Sequence, residues 1–181
     1  MRWKNGLGET AEIATSPDGA ALEHFDWRVS AARVEAAGPF SVFAGVDRTL
    51  TVIDGAGFRL AVDGYPVAEL TPRSAPYAFP GDLAATATPL EGTVTDLNVM
   101  TRRDRLWHRV RRVATGQRTP LLNPGMIALV VCIEGPVRVA LAGTAVELDV
   151  LDTLLVDQPA TLLAAAAPAA GQLLLIEIGP R

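Results

Sequence analysis

The sequence predicts an all-β protein made of two copies of a small sandwich or barrel. Three observations predict it. First, runs of valine, leucine and threonine recur between Gly, Pro, Asp and Asn, while helix-period patterns are almost absent. Second, turn dipeptides punctuate the chain at Asp54-Gly55, Asp63-Gly64, Glu91-Gly92, Glu134-Gly135 and Ala142-Gly143. Glycine there supplies the positive φ that tight hairpins require. Third, the chain repeats itself. LTVIDGAGFRLAVDGYPVAEL at 50–70 aligns with ALVVCIEGPVRVALAGTAVEL at 128–148. Ile53-Asp54-Gly55 meets Ile133-Glu134-Gly135, Arg59 meets Arg138, Gly64 meets Gly143, and Glu69-Leu70 meets Glu147-Leu148. Similar tails follow, FPGDLAATATPL and LDTLLVDQPATLLA. A repeat this long exceeds a solenoid unit and fits a duplicated module.

The elements follow in chain order. WKNGLGET reads as a turn-like segment in which Trp3 offers a flat apolar wall, Lys4 a cation and Asn5 a two-way hydrogen bonder. Residues 25–64 read as a short strand, a bend at Gly38-Pro39, a longer strand and a tight hairpin. Arg28 and Arg48 stand inside the apolar runs of this stretch. An arginine in an apolar strand is costly unless its charge has a use or a way out to water.

In DWRVSAARV, Arg28 and Ser30 share one face, with Trp27 and Val29 on the other. In VTDLNVMT, Asp96, Asn98 and Met100 share a face opposite Leu97 and Val99. These polar faces either look to solvent over an apolar core, or line a barrel mouth around a small polar ligand. In the second case the arginine fork suits a carboxylate. Arg48 has two candidate partners, Asp47 beside it and Asp96.

Thr101–Arg118 breaks the strand pattern with seven arginines. It predicts a division into an N-terminal module at 1–103, an arginine-rich connection at 104–118 and a C-terminal half at 119–181, with one strand from Leu106 to Ala114. A solvated charged face explains such a run. A phosphate-binding patch is the sharper alternative, but only Trp107 interleaves the cations, so nucleic-acid binding is not expected. The C-terminal half offers few polar residues at strand spacing and is expected to be structural.

Composition narrows the classes. An apolar fraction of 49% excludes disorder, and a net charge of -4 argues against a general nucleic-acid footprint. The two histidines, His24 and His108, lie outside any ligand spacing, so no metal is expected. The one cysteine, Cys132, sits in an apolar run, which predicts a core residue and a reducing compartment. No nucleophile elbow, dinucleotide fingerprint or P-loop occurs, so no nucleotide cofactor is expected. No apolar leader follows the first basic residues, and the apolar tract 154–178 is interrupted by Asp157, Pro159, Pro168 and Gln172. These features predict a cytoplasmic protein without a membrane span.

WKNGLGETAEI, FDWRVSAARVEAAGPFSVFAGVDRTLTVIDG, FPGD at 79–82 and GTVTDLNVMTRR together resemble the HutD/Ves family of bicupin proteins, which is linked to bacterial histidine utilisation. The resemblance spans about the first 103 residues, and the remainder matches as a generic second cupin half. Gly6-Leu7-Gly8 stands where the family pattern has three glycines. The resemblance implies two cupin-type β-barrels of the RmlC-like jelly-roll kind. Against the cupin metal motif, Arg48 falls at the glutamate position, and Ser41–Ala44 falls where the histidine pair would stand. An arginine in place of a metal-binding glutamate turns a cation pocket into an anion pocket.

The expectation is a metal-free bicupin, without cofactor, that binds a small carboxylate metabolite in its first barrel. Arg28 and Arg48 would hold the carboxylate, Ser30 and Asn98 orient it, and Asp96 position an arginine. Trp3, Lys4 and Asn5 would close the mouth, and Met100 would pack on the ligand. The resemblance suggests an intermediate of histidine degradation, such as urocanate or a formylated or formimino glutamate, and an accessory or regulatory role. Two rivals remain open. One is a metal-independent isomerase or hydrolase with Asp96 or Asp82 as base. The other is a nucleic-acid-binding regulator using Arg102–Arg118. Exposed sheet edges make a homodimer possible.

Overall fold

The computed structural model describes residues 8–113, 116, 118–121, 126–141, 143–166 and 171–181. Among these, every regular element is a β-strand, as the turn-punctuated sequence predicts. No helix of the described residues is long and apolar enough to cross a membrane. The chain divides into two compact units, 1–106 and 107–181. The arginine-rich stretch holds a strand from Leu106 to Val113, where one is expected from Leu106 to Ala114, and it begins at the boundary of the two units. Its Trp107, Arg109, Arg111 and Val113 alternate with the other side chains at strand period, and Val113 joins the apolar core.

The first unit runs β1 (Gly8–Ser16), β2 (Trp27–Val34), β3 (Gly38–Pro39), β4 (Val46–Asp54), β5 (Phe58–Val62), β6 (Ala68–Leu70), β7 (Tyr77–Pro80), β8 (Ala85–Pro89) and β9 (Val94–Arg102). They form two sheets, in the orders β1-β2-β9-β4-β7 and β3-β8-β5-β6. The β-branched content of β4 and β9 suits a pleated surface buried on the core side. Val34, Leu50, Val52 and Val94 of the larger sheet pack with Phe58, Leu60 and Ala87 of the smaller one. The core therefore lies between the sheets. By strand alternation, Arg28, Ser30, Arg48, Asp96 and Asn98 project from the same faces as these apolar residues. The polar faces look inward, which removes the solvent-facing alternative.

The second unit runs β10 (Leu106–Val113), β11 (Arg118–Leu121), β12 (Ile127–Glu134), β13 (Val137–Leu141), β14 (Thr144–Leu148), β15 (Thr153–Val156), β16 (Ala160–Ala166) and β17 (Gln172–Pro180). Its sheets have the orders β10-β17-β12-β15 and β11-β16-β13-β14. The strand order β2-β9-β4-β7 thus recurs as β10-β17-β12-β15. The aligned arginines behave alike: Arg59 lies across from Glu69, and Arg138 lies across from Glu147. Cys132 is buried and free, with its thiol donating to the Glu134 carbonyl.

Gly55, Gly64, Gly92 and Gly143 take positive φ, as their turns demand. Gly135 does not: it precedes Pro136 through a cis peptide bond. The tightest turn position is Gly57, with φ of 101°. A Cβ there would lie 2.2 Å from the Leu70 carbonyl oxygen. Gly57→Ala is expected to destabilise the protein by about 2 kcal/mol or more, from left-handed strain and a backbone collision that no rotamer relieves. Denaturant unfolding of the variant checks this.

Candidate functional site

The antiparallel register of three strands assembles the site. Arg28 of β2 lies across from Met100 of β9, which lies across from Arg48 of β4. One rung further in, Ser30, Asn98 and Leu50 align, and beyond them Ala32, Asp96 and Val52. Period-2 alternation puts all six predicted residues of these strands on one inner face. All are buried: Arg28 is 5% exposed, Arg48 6% and Asp96 0%. Trp3, Lys4 and Asn5 lie outside the described residues.

Among the described residues, no carboxylate is in contact with Arg48. Its Nε donates to Asn98 Oδ1 at 2.7 Å, and its Nη2 donates to the same oxygen. Its guanidinium carbon lies 4.6 Å from the Phe40 ring centre and 5.4 Å from that of Phe79, within cation–π range. Burial, offset in part by the charge of Asp96, lowers its pKa to about 10. Asp47, one of its two expected partners, serves Arg103 instead at 2.6 Å. The side chains explain this, since residue 47 projects from the opposite face of the strand to residue 48. Asp96, the other expected partner, is linked only through Asn98, whose Nδ2 donates to Asp96 Oδ1.

Arg28 carries its own counter-ion. Its Nε donates to Glu12 Oε2 at 2.8 Å and its Nη1 to Ser30 Oγ at 2.9 Å. Ser30 and Asn98, expected to orient a ligand, thus orient the two arginines. Among the described residues, Nη2 of Arg28 and Nη1 of Arg48 meet no acceptor. Met100 is 2% exposed and packs with Phe25 and Val46, closing apolar contacts at the arginine end of the core.

Asp96 is fully enclosed. One oxygen accepts from Asn98, while Oδ2 has no hydrogen-bond partner among the described residues. Burial raises its pKa to about 7, against the opposing pull of Arg48 and Asn98. Asp82, the other candidate base, has the opposite setting. It accepts from the Gly45 backbone N–H at 2.6 Å and from Arg103 at 2.6 Å. These bonds lower its pKa, the Gly45 bond most, and leave it a weak base.

The arginine run is engaged internally. Arg102 donates to the backbone carbonyls of Phe25, Ala44 and Glu23, and Arg105 pairs with Asp26 at 2.6 Å. In the second unit, Arg109 and Arg111 converge on Glu177, which is buried, and Arg112 donates to Gln172. This half is therefore less apolar between its strands than its sequence spacing suggests. A surface cleft of about 390 Å³ lined by His24, Phe25, Asp26, Arg102 and Arg105 has its cations taken in the same way. Among the described residues, no three His, Cys, Asp or Glu side chains form a metal-binding group.

Three residues of the site escape a reading of sequence alone: Glu12, Phe40 and Phe79. Phe79 lies within FPGD and cross-strand from Arg48. Glu12 occupies an edge strand just before a register shift, so its alternation with Glu9 gives no clue to its partner on β2.

Comparisons with known proteins agree with this architecture. The family model described as HutD matches residues 1–175. A Pseudomonas putida protein, described as an uncharacterized 21.2 kDa protein in the hutC 3' region, is 37% identical over 147 residues, 81% of this chain and 75% of its own. The solved structure of HutD from Pseudomonas fluorescens SBW25, in a formate condition, superposes with a TM-score of 0.83 at 34% identity, covering 100% of this chain and 93% of that one. A cupin 2 conserved barrel domain protein from Leptotrichia buccalis, 9% identical, shares the fold alone, with a TM-score of 0.61 over 96% of this chain and 89% of its own.

The Asp96 environment has a consequence for stability. Its pKa is raised from 3.8 to about 7 on folding. Between those values the native state keeps a proton that the unfolded chain has released, so stability falls as pH rises through the window. Asp96→Asn is expected to flatten that part of the profile, as read from denaturant unfolding at a series of pH values. A slope unchanged by the substitution would contradict the assignment.

Proposed function

The chain belongs to the HutD family, and we propose that it is a cytoplasmic, metal-free cupin-fold protein that binds a small carboxylate metabolite at Arg28 and Arg48. The observation that carries this reading is the state of Arg48. Its cation is buried on the inner face, surrounded by two aromatic rings and an amide, with no carboxylate against it. A charge in such a place without a direct ion pair is costly. A ligand carboxylate would supply a counter-ion in contact, where Asp96 acts only at one remove. The unspent amino groups of Arg48 and Arg28 would each donate to it, and a charge-assisted bond of this type contributes roughly 1.5–3 kcal/mol. The hutC 3' region named for the Pseudomonas putida relative supports a role in histidine utilisation, accessory or regulatory, with a pathway carboxylate such as urocanate or formyl- or formiminoglutamate as ligand.

A second reading, a metal-independent isomerase or hydrolase, draws on one feature. Asp96 titrates near neutrality and has an oxygen without a partner, as a general base requires. Turnover of a bound carboxylate that disappears in Asp96→Asn would favour it over simple binding.

A thermal-shift screen against formate, urocanate, glutamate and its formyl derivative tests the binding reading. A ligand at a hundredfold excess over its Kd adds about 2.7 kcal/mol to apparent stability, a shift of several degrees for a chain of this size. The shift is expected in the native protein, strongly reduced in Arg28→Gln and lost in Arg48→Gln. No shift with any carboxylate in the millimolar range would overturn the proposal.

A further inference from the structure

We propose that the Arg48 site takes up one carboxylate together with one proton, and that Asp96 holds the proton. This rests on the carboxylate reading above and adds to it the charge state that the site accepts.

The argument starts from the charges that face the buried Asp96. Across β2, Ala32 is apolar and Ser30 is neutral, while Arg28 further along is already paired with Glu12 of β1. Across β4, Val52 and Leu50 are apolar, and Arg48 is the cation. The opposite sheet presents the apolar Phe58, Leu60 and Ala87. Among the described residues, the charged groups around Asp96 are therefore Arg48 and the self-neutralised Arg28–Glu12 pair. With Asp96 ionised, the enclosed group sums to zero before any ligand arrives. An incoming carboxylate would leave one net negative charge in a poorly solvated space. Protonation of Asp96 restores neutrality.

The hydrogen bonds allow this without rearrangement. Asn98 accepts from Arg48 through Oδ1 and donates through Nδ2 to Asp96 Oδ1. The proton goes to Oδ2, the oxygen that has no partner. The Arg48–Asn98–Asp96 chain keeps the same donors and acceptors in both states. Burial already places the Asp96 carboxyl near its midpoint at neutral pH, so a single added anion suffices to tip it. The enclosed part of the site then takes one negative charge. A second carboxylate on the ligand has to lie outside it.

The linkage has a sign. Above the Asp96 midpoint each bound anion must draw a proton from solution, so affinity falls up to about tenfold per pH unit. Below the midpoint affinity is flat. The experiment uses the full chain with sodium formate as probe. The protonated carboxyl band of Asp96 is isolated by infrared difference between the native protein and Asp96→Asn, and is titrated with and without formate. Formate affinity is followed by thermal shift across the same pH range. The expected result is a midpoint near neutrality that formate moves upward, with the pH dependence of formate affinity lost in Asp96→Asn. An Asp96 ionised throughout this range, or a midpoint unmoved by formate that does raise the melting temperature, would overturn the proposal. If formate raises the melting temperature at no pH, the carboxylate reading itself falls. Arg48→Gln then decides the linkage alone: loss of the cation should raise the Asp96 midpoint, and an unmoved midpoint overturns the coupling.

Discussion

The first unit is built around a guanidinium that has to live inside a β-sandwich. Arg48 stands near the start of β4, is 6% exposed and, among the described residues, has no carboxylate in contact. Its surroundings answer that constraint one by one. Asn98 offers an acceptor from the neighbouring strand, Phe40 and Phe79 offer ring faces, and Asp96 offers charge at one remove. An amide between cation and carboxylate is weaker than a direct pair, and it leaves part of the guanidinium available. A direct Arg–Asp pair would have been self-satisfied, and one intervening asparagine separates the arrangement here from such a pair.

Arg28 shows the contrast. It lies on the same face two strands away, yet Glu12 and Ser30 meet it directly. The two arginines therefore differ: one is compensated by a half-exposed glutamate, and the other is held by an amide and two ring faces. The same physics runs through the arginine-rich stretch. Arg103, Arg105 and Arg109 are matched to Asp47, Asp26 and Glu177, and Arg102 to backbone carbonyls. A run that reads as a basic patch is largely paired with residues distant in sequence.

The inner face of the second unit carries its own buried glutamate with two arginines, at the end of β17 and β10. The cross-strand register aligns Glu177 with Ala128, and Met100 with Arg48. Counted back without a gap from the match of Ile53-Asp54-Gly55 to Ile133-Glu134-Gly135, Ala128 falls opposite Arg48. The two units share strand order and differ in where they place charge on it.

The all-β class, the hairpins and the repeat were legible in the sequence because they depend on short-range signals: alternation, turn glycines and their recurrence. The six strand-borne site residues were legible for the same reason, since spacing by two puts Arg28 with Ser30 and Asp96 with Asn98 on single faces. Which way those faces turn was not legible. Nor was the pairing of Asp47 with Arg103, the removal of Asp96 to second place behind Asn98, or the entry of Glu12, Phe40 and Phe79. Each depends on which strands become neighbours and in what register. Alternation is a property of one strand, and the chain carries it in its own order. Partnership is a property of two strands brought together across dozens of residues, and only the folded sheet decides it.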